Sequence, residues 1–173
     1  SQDMAAPLNP PLADLSGKVC IVTGCTSGIG VEIARNLAAT NASVILACRN
    51  VGRGNAVKDE VVGQTGNRNL MVSTLDVASQ SSIREFASSI PCVDVLVNNA
   101  AAWFPDRRLS EDGIEVTGAT NVLGPHLLTY LLADALRSAG RTRVVNVVSQ
   151  LAGGLDLSDV EMSHRYAEIA DYR

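Results

Sequence analysis

Five short apolar runs punctuate the chain, at Val19–Thr23, Ser43–Cys48, 69–75, 93–97 and 143–148. β-Branched residues recur in them, and the 93–97 run is apolar on both faces apart from Asp94, the pattern of a strand buried in a parallel sheet. Between the runs the apolar spacing changes to that of helices. Over 31–39 and just before it, Ile29, Ile33 and Leu37 stand at i, i+4 and i+8, one stripe to face a sheet. Ala56, Val57, Glu60 and Val61 mark a second helix, and Ile83, Phe86, Ala87 and Ile90 a third that Pro91 ends. A long helix is predicted over 111–138, with Ser110 as N-cap and Glu111 and Asp112 in its first turn. Its apolar positions, Leu123, Leu127, Leu128, Leu131, Leu132, Ala135 and Leu136, exceed one narrow stripe. Such a helix is either deeply buried, or packs on the sheet with one face and meets a second subunit with the other. Gly124-Pro125 inside it predicts a kink, and the proline, having no N–H, removes the helical partner of the Asn121 carbonyl. Strands alternating with helices imply a doubly wound parallel sheet of the Rossmann type. No repeat or linker divides residues 15–173, which read as one domain behind a flexible arm, 1–14, containing Pro7, Pro10 and Pro11.

The first strand runs into Gly24-x-x-x-Gly28-x-Gly30 and then a helix. Glycines let the backbone turn tightly and approach a ligand, and the helix start offers free N–H groups and a positive dipole end to a pyrophosphate. After the second strand comes Arg49, and no Asp or Glu occurs between Glu32 and Asp59. An acid here would hold the ribose hydroxyl of NAD, whereas an arginine accommodates the 2′-phosphate of NADP. The choice is therefore NADP(H). Asp76 ends the third strand, where it serves equally as a turn residue or as an acceptor for an adenine amino group. Asn98-Asn99-Ala100-Ala101 follows the fourth strand, and paired amides there can satisfy backbone groups where two loops meet.

Charge and composition narrow the partners. With 173 residues and a net charge of −4, the chain is apolar-rich and too acidic to track nucleic acid. Cys20, Cys25, Cys48 and Cys92 lie far apart without a Cys-x-x-Cys pair and read as small apolar residues of a reduced, cytoplasmic protein. There is no signal-peptide pattern and no window long enough for a membrane span. His126 and His164 have no second ligand at metal-binding spacing, so no metal site is expected.

The Thr23-Gly-x-x-x-Gly-Ile-Gly30 pattern resembles the short-chain dehydrogenase/reductase family, and the likeness runs from about residue 15 to 149. It implies a cofactor held by Gly24, Thr26, Ser27, Gly28, Ile29 and Gly30, by Arg49 and Asn50, and by Asp76 and Val77. It adds Asn98, Asn99 and Ala100, similar to the family's Asn-Asn-Ala-Gly with Ala101 in place of the last glycine. By the same resemblance Asn121 matches the family's helix asparagine and Ser149 its catalytic serine. The Tyr-x-x-x-Lys pair is not found: Tyr166 is followed four positions later by Ala170, Tyr172 only by Arg173, and no lysine occurs after Lys58. In the retinol-dehydrogenase-like branch the tyrosine lies well beyond the serine, so the chain is expected to be the N-terminal cofactor half of a longer enzyme. The implied function is NADP(H)-dependent interconversion of a carbonyl and an alcohol on a small-molecule substrate, with a homodimer possible through the 111–138 helix. A regulatory protein that binds NADP(H) without turnover is the alternative. A Rossmann-like methyltransferase is remote, since it calls for a different glycine loop.

Overall fold

The structure, a computed structural model, describes residues 13–149, 158–164 and 166. Most of the predicted arm, and Tyr172, lie outside these residues. Five parallel strands, β1 (Val19–Thr23), β2 (Ser43–Cys48), β3 (Leu70–Thr74), β4 (Val95–Asn98) and β5 (Arg143–Asn146), form one sheet in the order β3-β2-β1-β4-β5. The order reverses between β1 and β4, where the chain crosses from one side of the sheet to the other. Ligands of open parallel sheets bind in the crevice beyond the carboxyl ends of the strands at that reversal.

Alternate strand residues supply two cores. Cys20, Val22, Val44 and Leu46 face α1 (Gly28–Ala39) and α2 (Val51–Thr65), while Ile21, Ile45 and Leu96 share the other core with α3 (Gln80–Ser88) and the later helices. The predicted stripe of α1 is shifted by one position. Gly30, Ala34 and Ala38 are buried, Ile33 and Leu37 are half-buried beside the core, and Ile29 is 65% exposed at the rim of the crevice. At Gly30, the first of these buried positions, the glycine turn itself demands the small residue. A Cβ on Gly30 would stand 2.3 Å from the Gly24 carbonyl oxygen.

The single helix expected over 111–138 is not what forms. Ser110–Gly113 is a turn, closed by the Gly113 amide on the Ser110 carbonyl at 3.0 Å, and Leu109 bridges Glu115. Helix begins at α4 (Val116–Gly118), passes through a π-helical turn at Ala119–Leu123, and continues as α5 (Gly124–Leu131) and α6 (Ala133–Ser138). The π turn ends at Gly124-Pro125, where the proline interrupts regular pairing and the kink was expected. Gly124 is needed there because an added Cβ would lie 1.9 Å from the Val77 carbonyl oxygen. Leu128, Leu132, Ala135 and Leu136 are buried, whereas Val122, Leu123 and Tyr130 are exposed. The true N-cap is Glu115, whose Oε1 accepts from the Thr117 amide at 2.8 Å and whose Oε2 accepts from the Gly118 amide at 2.6 Å. Glu111 and Asp112 serve a different helix. The start of α3 has no acid of its own; the Ser79 hydroxyl donates to Glu111, Ser81 donates to it at 3.1 Å, and the Gln80 amide donates to Asp112 at 2.9 Å.

At the opposite, amino edge of the sheet, the buried Asp94 accepts from Lys18 Nζ at 2.8 Å and from the Val19 amide at 2.9 Å, fastening β4 to the start of β1. Burial pushes the Asp94 carboxyl up, but the Lys18 hydrogen bond, the Val19 amide and the Lys18 charge outweigh it and hold it below the ordinary range. A carboxyl more acidic when folded stabilises fully above its unfolded pKa, near pH 4, and loses that contribution as pH falls through the lower folded value. Asp94→Asn should therefore lie below the parent in urea stability by a constant amount at neutral pH. The gap should narrow below about pH 4, as the parent's own carboxylate becomes protonated.

Candidate functional site

The crevice at the strand reversal holds a cleft of about 520 Å³. Gly24, Thr26, Ser27, Gly28, Ile29 and Gly30 form one side, and Arg49 and Asn50 lie beyond β2. Asp76 and Val77 follow β3, and Asn99 to Ala102 and Phe104 follow β4. The sequence-derived cofactor residues thus converge on one space, with Asn98 the exception.

The glycine turn is shaped by backbone demands. Gly24 and Gly28 have φ of +63° and +54°, which L side chains rarely adopt. A Cβ on Gly24 would stand 2.6 Å from the Ala100 Cα, so this glycine lets the β1 and β4 loops touch, while the Cβ position of Gly28 is open space. The helix that follows, α1, starts bare. Ser27, its N-cap, makes no side-chain cap and the first turn contains no acid, whereas Asn50 caps α2 through the Arg53 amide at 2.9 Å and Ser79 caps α3 through the Ser82 amide at 3.2 Å. The first amides of α1 therefore open onto the cleft without a capping side chain, the arrangement that accepts an anion.

Thr23 and Asn99 lock this geometry. The buried Thr23 hydroxyl accepts from the amides of Asn99 and Ala100, each at 3.0 Å. In return the Asn99 side-chain amide donates to the carbonyls of Thr23 at 3.0 Å and Gly24 at 3.1 Å. Ala101 has no positive φ, so its methyl replaces the family's glycine without backbone strain. Asn98 does not line the cleft. Its Nδ2 donates to Thr129 Oγ1 at 3.1 Å and to Asn146 Oδ1 at 2.9 Å, joining β4 to α5 and β5 in the interior.

Asp76 is half-buried on the cleft wall and works as a turn residue: its Oδ1 accepts from the Ala78 amide at 2.9 Å. Beside Arg49 the cleft includes Arg53, four residues on and exposed. Its signal in the sequence is a second arginine shortly after Arg49, at the third residue of α2. Phe104, Val116 and Thr120 also line the cleft and had no local signal. Burial pushes the Cys20 thiol up to about 11 and that of Cys25, beneath the turn, up to about 12, so neither is a thiolate near neutrality. Among the described residues no cluster of metal-ligating side chains occurs.

The two candidate catalytic residues sit outside this lining. Asn121, in the π turn, turns its side chain onto the β4 loop: Nδ2 donates to the Ala102 carbonyl and Oδ1 accepts from the Ala102 amide, both at 2.8 Å. Ser149 lies just beyond β5 and is exposed, in line with the sequence placement at the end of that strand.

A glycine turn, a bare helix start and a cleft at the reversal of a parallel sheet define a dinucleotide-binding α/β domain. Residues 18–157 match the model of the short chain dehydrogenase family, and the chain belongs to that family. It is 38% identical over 162 residues to Retinol dehydrogenase 13 of Homo sapiens, covering 90% of this chain and 49% of that protein. It is 41% identical over 162 residues to WW domain-containing oxidoreductase of Gallus gallus, covering 91% of this chain and 36% of that protein. The chain thus spans about half or less of these relatives' length. Among solved structures, a metagenomic short-chain oxidoreductase in complex with NADP superimposes with a TM-score of 0.71 at 32% identity, over 82% of this chain and 67% of that one. Among the described residues no helix is long and apolar enough to cross a membrane.

The Thr23 clamp is directly testable. Thr23→Val keeps the shape and deletes the acceptor of two amides, and should lower unfolding free energy by about 1–3 kcal/mol in urea denaturation.

Proposed function

We propose that this chain binds NADP(H) and forms the cofactor-holding part of an oxidoreductase that interconverts a carbonyl and an alcohol. The observation that carries the reading is the bare start of α1, opening on a cleft whose other end holds Arg49 and Arg53 with no acid on the connecting loop. The donor set fits the cofactor's anions. The α1 amides would take the pyrophosphate, and the two guanidinium groups the 2′-phosphate, which a carboxylate in their place would repel. When bound, the nicotinamide supplies or accepts the hydride. The chain's own residues orient it: Thr23 and Asn99 fix the turn, Asp76 and Val77 present the adenine wall, and Asn121 holds Ala102 against the cleft. Ser149 is assigned the substrate oxygen. The exposed face of Val122, Leu123 and Tyr130 supports a homodimer through α5.

Binding without turnover is the alternative reading, and whether the full-length protein holds a Tyr-x-x-x-Lys pair separates the two. On either reading NADPH should bind more tightly than NADH in a fluorescence titration. Arg49→Ala should weaken NADPH by about 1.5–3 kcal/mol, roughly 10- to 150-fold, and leave NADH little changed. Equal affinities in the parent would overturn the assignment. The 173-residue chain should bind cofactor yet reduce no carbonyl above background, because general acid–base help worth about 10²–10⁴-fold has no side chain to supply it. Robust turnover that Tyr166→Phe abolishes would place the acid at Tyr166 instead.

A further inference from the structure

Residues 101–115 leave the end of β4, form the Ala101, Ala102 and Phe104 part of the cleft wall, and return to the buried Glu115. This stretch runs outside the sheet, so its shape depends on side chains that hold its backbone. One end is fixed by Asn121 on Ala102. The rest is gripped by Glu161 and Tyr166, neither of which lines the cleft. The Tyr166 hydroxyl donates to the Phe104 carbonyl at 2.9 Å, with Glu115 Oε1 and Thr117 Oγ1 each 3.4 Å from the same phenolic oxygen. The Glu115 amide donates to Glu161 Oε2 at 3.2 Å, and Arg107 Nε donates to the Glu161 carbonyl at 3.1 Å. Phe104 is also held at its ring, where the Arg108 guanidinium lies 4.8 Å from the centroid.

We propose that Tyr166 is a positioning residue for the cofactor cleft: its hydroxyl fixes the Phe104 backbone, and with it the 101–104 wall, in the conformation that receives the dinucleotide. A phenol with one proton, half-buried and aimed at a cleft-lining carbonyl, restrains that wall without touching the ligand. Restraint before binding lowers the ordering cost of binding, so its removal reads out as affinity. Glu161 performs the same task at the other end of the stretch. The assignment rests on the NADP(H) reading for its consequence, though not for its mechanical part.

Trp103, adjacent to Phe104, is exposed and is the sole tryptophan in the chain, so its emission reports this wall alone. In Tyr166→Phe, Trp103 should show lower anisotropy and stronger acrylamide quenching than in the parent without cofactor. NADPH should bind about 3- to 10-fold more weakly, the scale of one hydrogen bond. The urea midpoint should move little. Glu161→Gln should shift Trp103 and NADPH affinity the same way by less, and Arg137→Lys, exposed in α6 and outside the cleft lining, should change neither. Unchanged Trp103 mobility, or a looser Trp103 with unaltered NADPH affinity, would overturn the proposal; so would lost stability with an unaltered Trp103 signal. A parent that fails to bind NADPH would end the functional reading, while the Trp103 comparison would still decide whether Tyr166 holds the wall.

Discussion

Where the ladder between β1 and β4 ends, the loops that leave these two strands, some seventy residues apart in sequence, are held together through one threonine hydroxyl and one asparagine side chain. Thr23 ends β1 and Asn99 follows β4, and each satisfies backbone groups belonging to the other's loop. At a strand reversal the two loops diverge to opposite faces of the sheet, so their backbones cannot pair in a ladder. Their polar groups would otherwise face a space partly closed to water. The reciprocal bonds meet that requirement, and they also set the separation of the glycine turn from the β4 loop. The position of α1 follows, because Gly24 and Gly30 permit contacts that any Cβ would forbid. The anion-accepting helix start is thus a product of hydrogen-bond satisfaction as much as of glycine content.

The periodicity made the sheet legible. Four of the five strands coincide with or lie within their predicted runs, and the fourth begins two residues later and ends one later than predicted, because Val93 and Asp94 lie ahead of the ladder. The bounds are sharpest in β1 and β2, where burial on both faces imposes a continuous apolar run. Local patterns failed in two instructive places. The periodicity puts the large apolar residues of α1 on the inner face, but the residues buried there are Gly30, Ala34 and Ala38, and the glycine turn leaves no room for a Cβ at Gly30. In 111–138, Ser110 with two following acids has the composition of a helix start, yet the acids cap α3, and the buried Glu115 caps its own helix. A capping pattern records that carboxylates lie near amides, without saying whose.

The cleft shows the same division. The glycine turn, Arg49, Asp76 and the Asn99 loop all sit at strand ends, and strand ends are readable. Phe104, Val116 and Thr120 reach the cleft only through the path of 101–115, which is determined by tertiary contacts to Asn121, Glu161 and Tyr166. The family motif makes any late tyrosine read as a catalytic residue, whereas Tyr166 stands against the Phe104 carbonyl.

The acids that cap α3 come from about thirty residues downstream, in the same stretch that forms the cleft wall. Helix and wall are therefore joined by three hydrogen bonds that belong to neither alone. Displacing Glu111 and Asp112 would free the Gln80 amide together with the hydroxyls of Ser79 and Ser81. Proton exchange at the Gln80 amide would then report on the 111–112 stretch, rather than on how well a short serine-rich helix holds itself. A motion that admits or releases a ligand would in this way be recorded on the far side of the sheet from the helix that grips it.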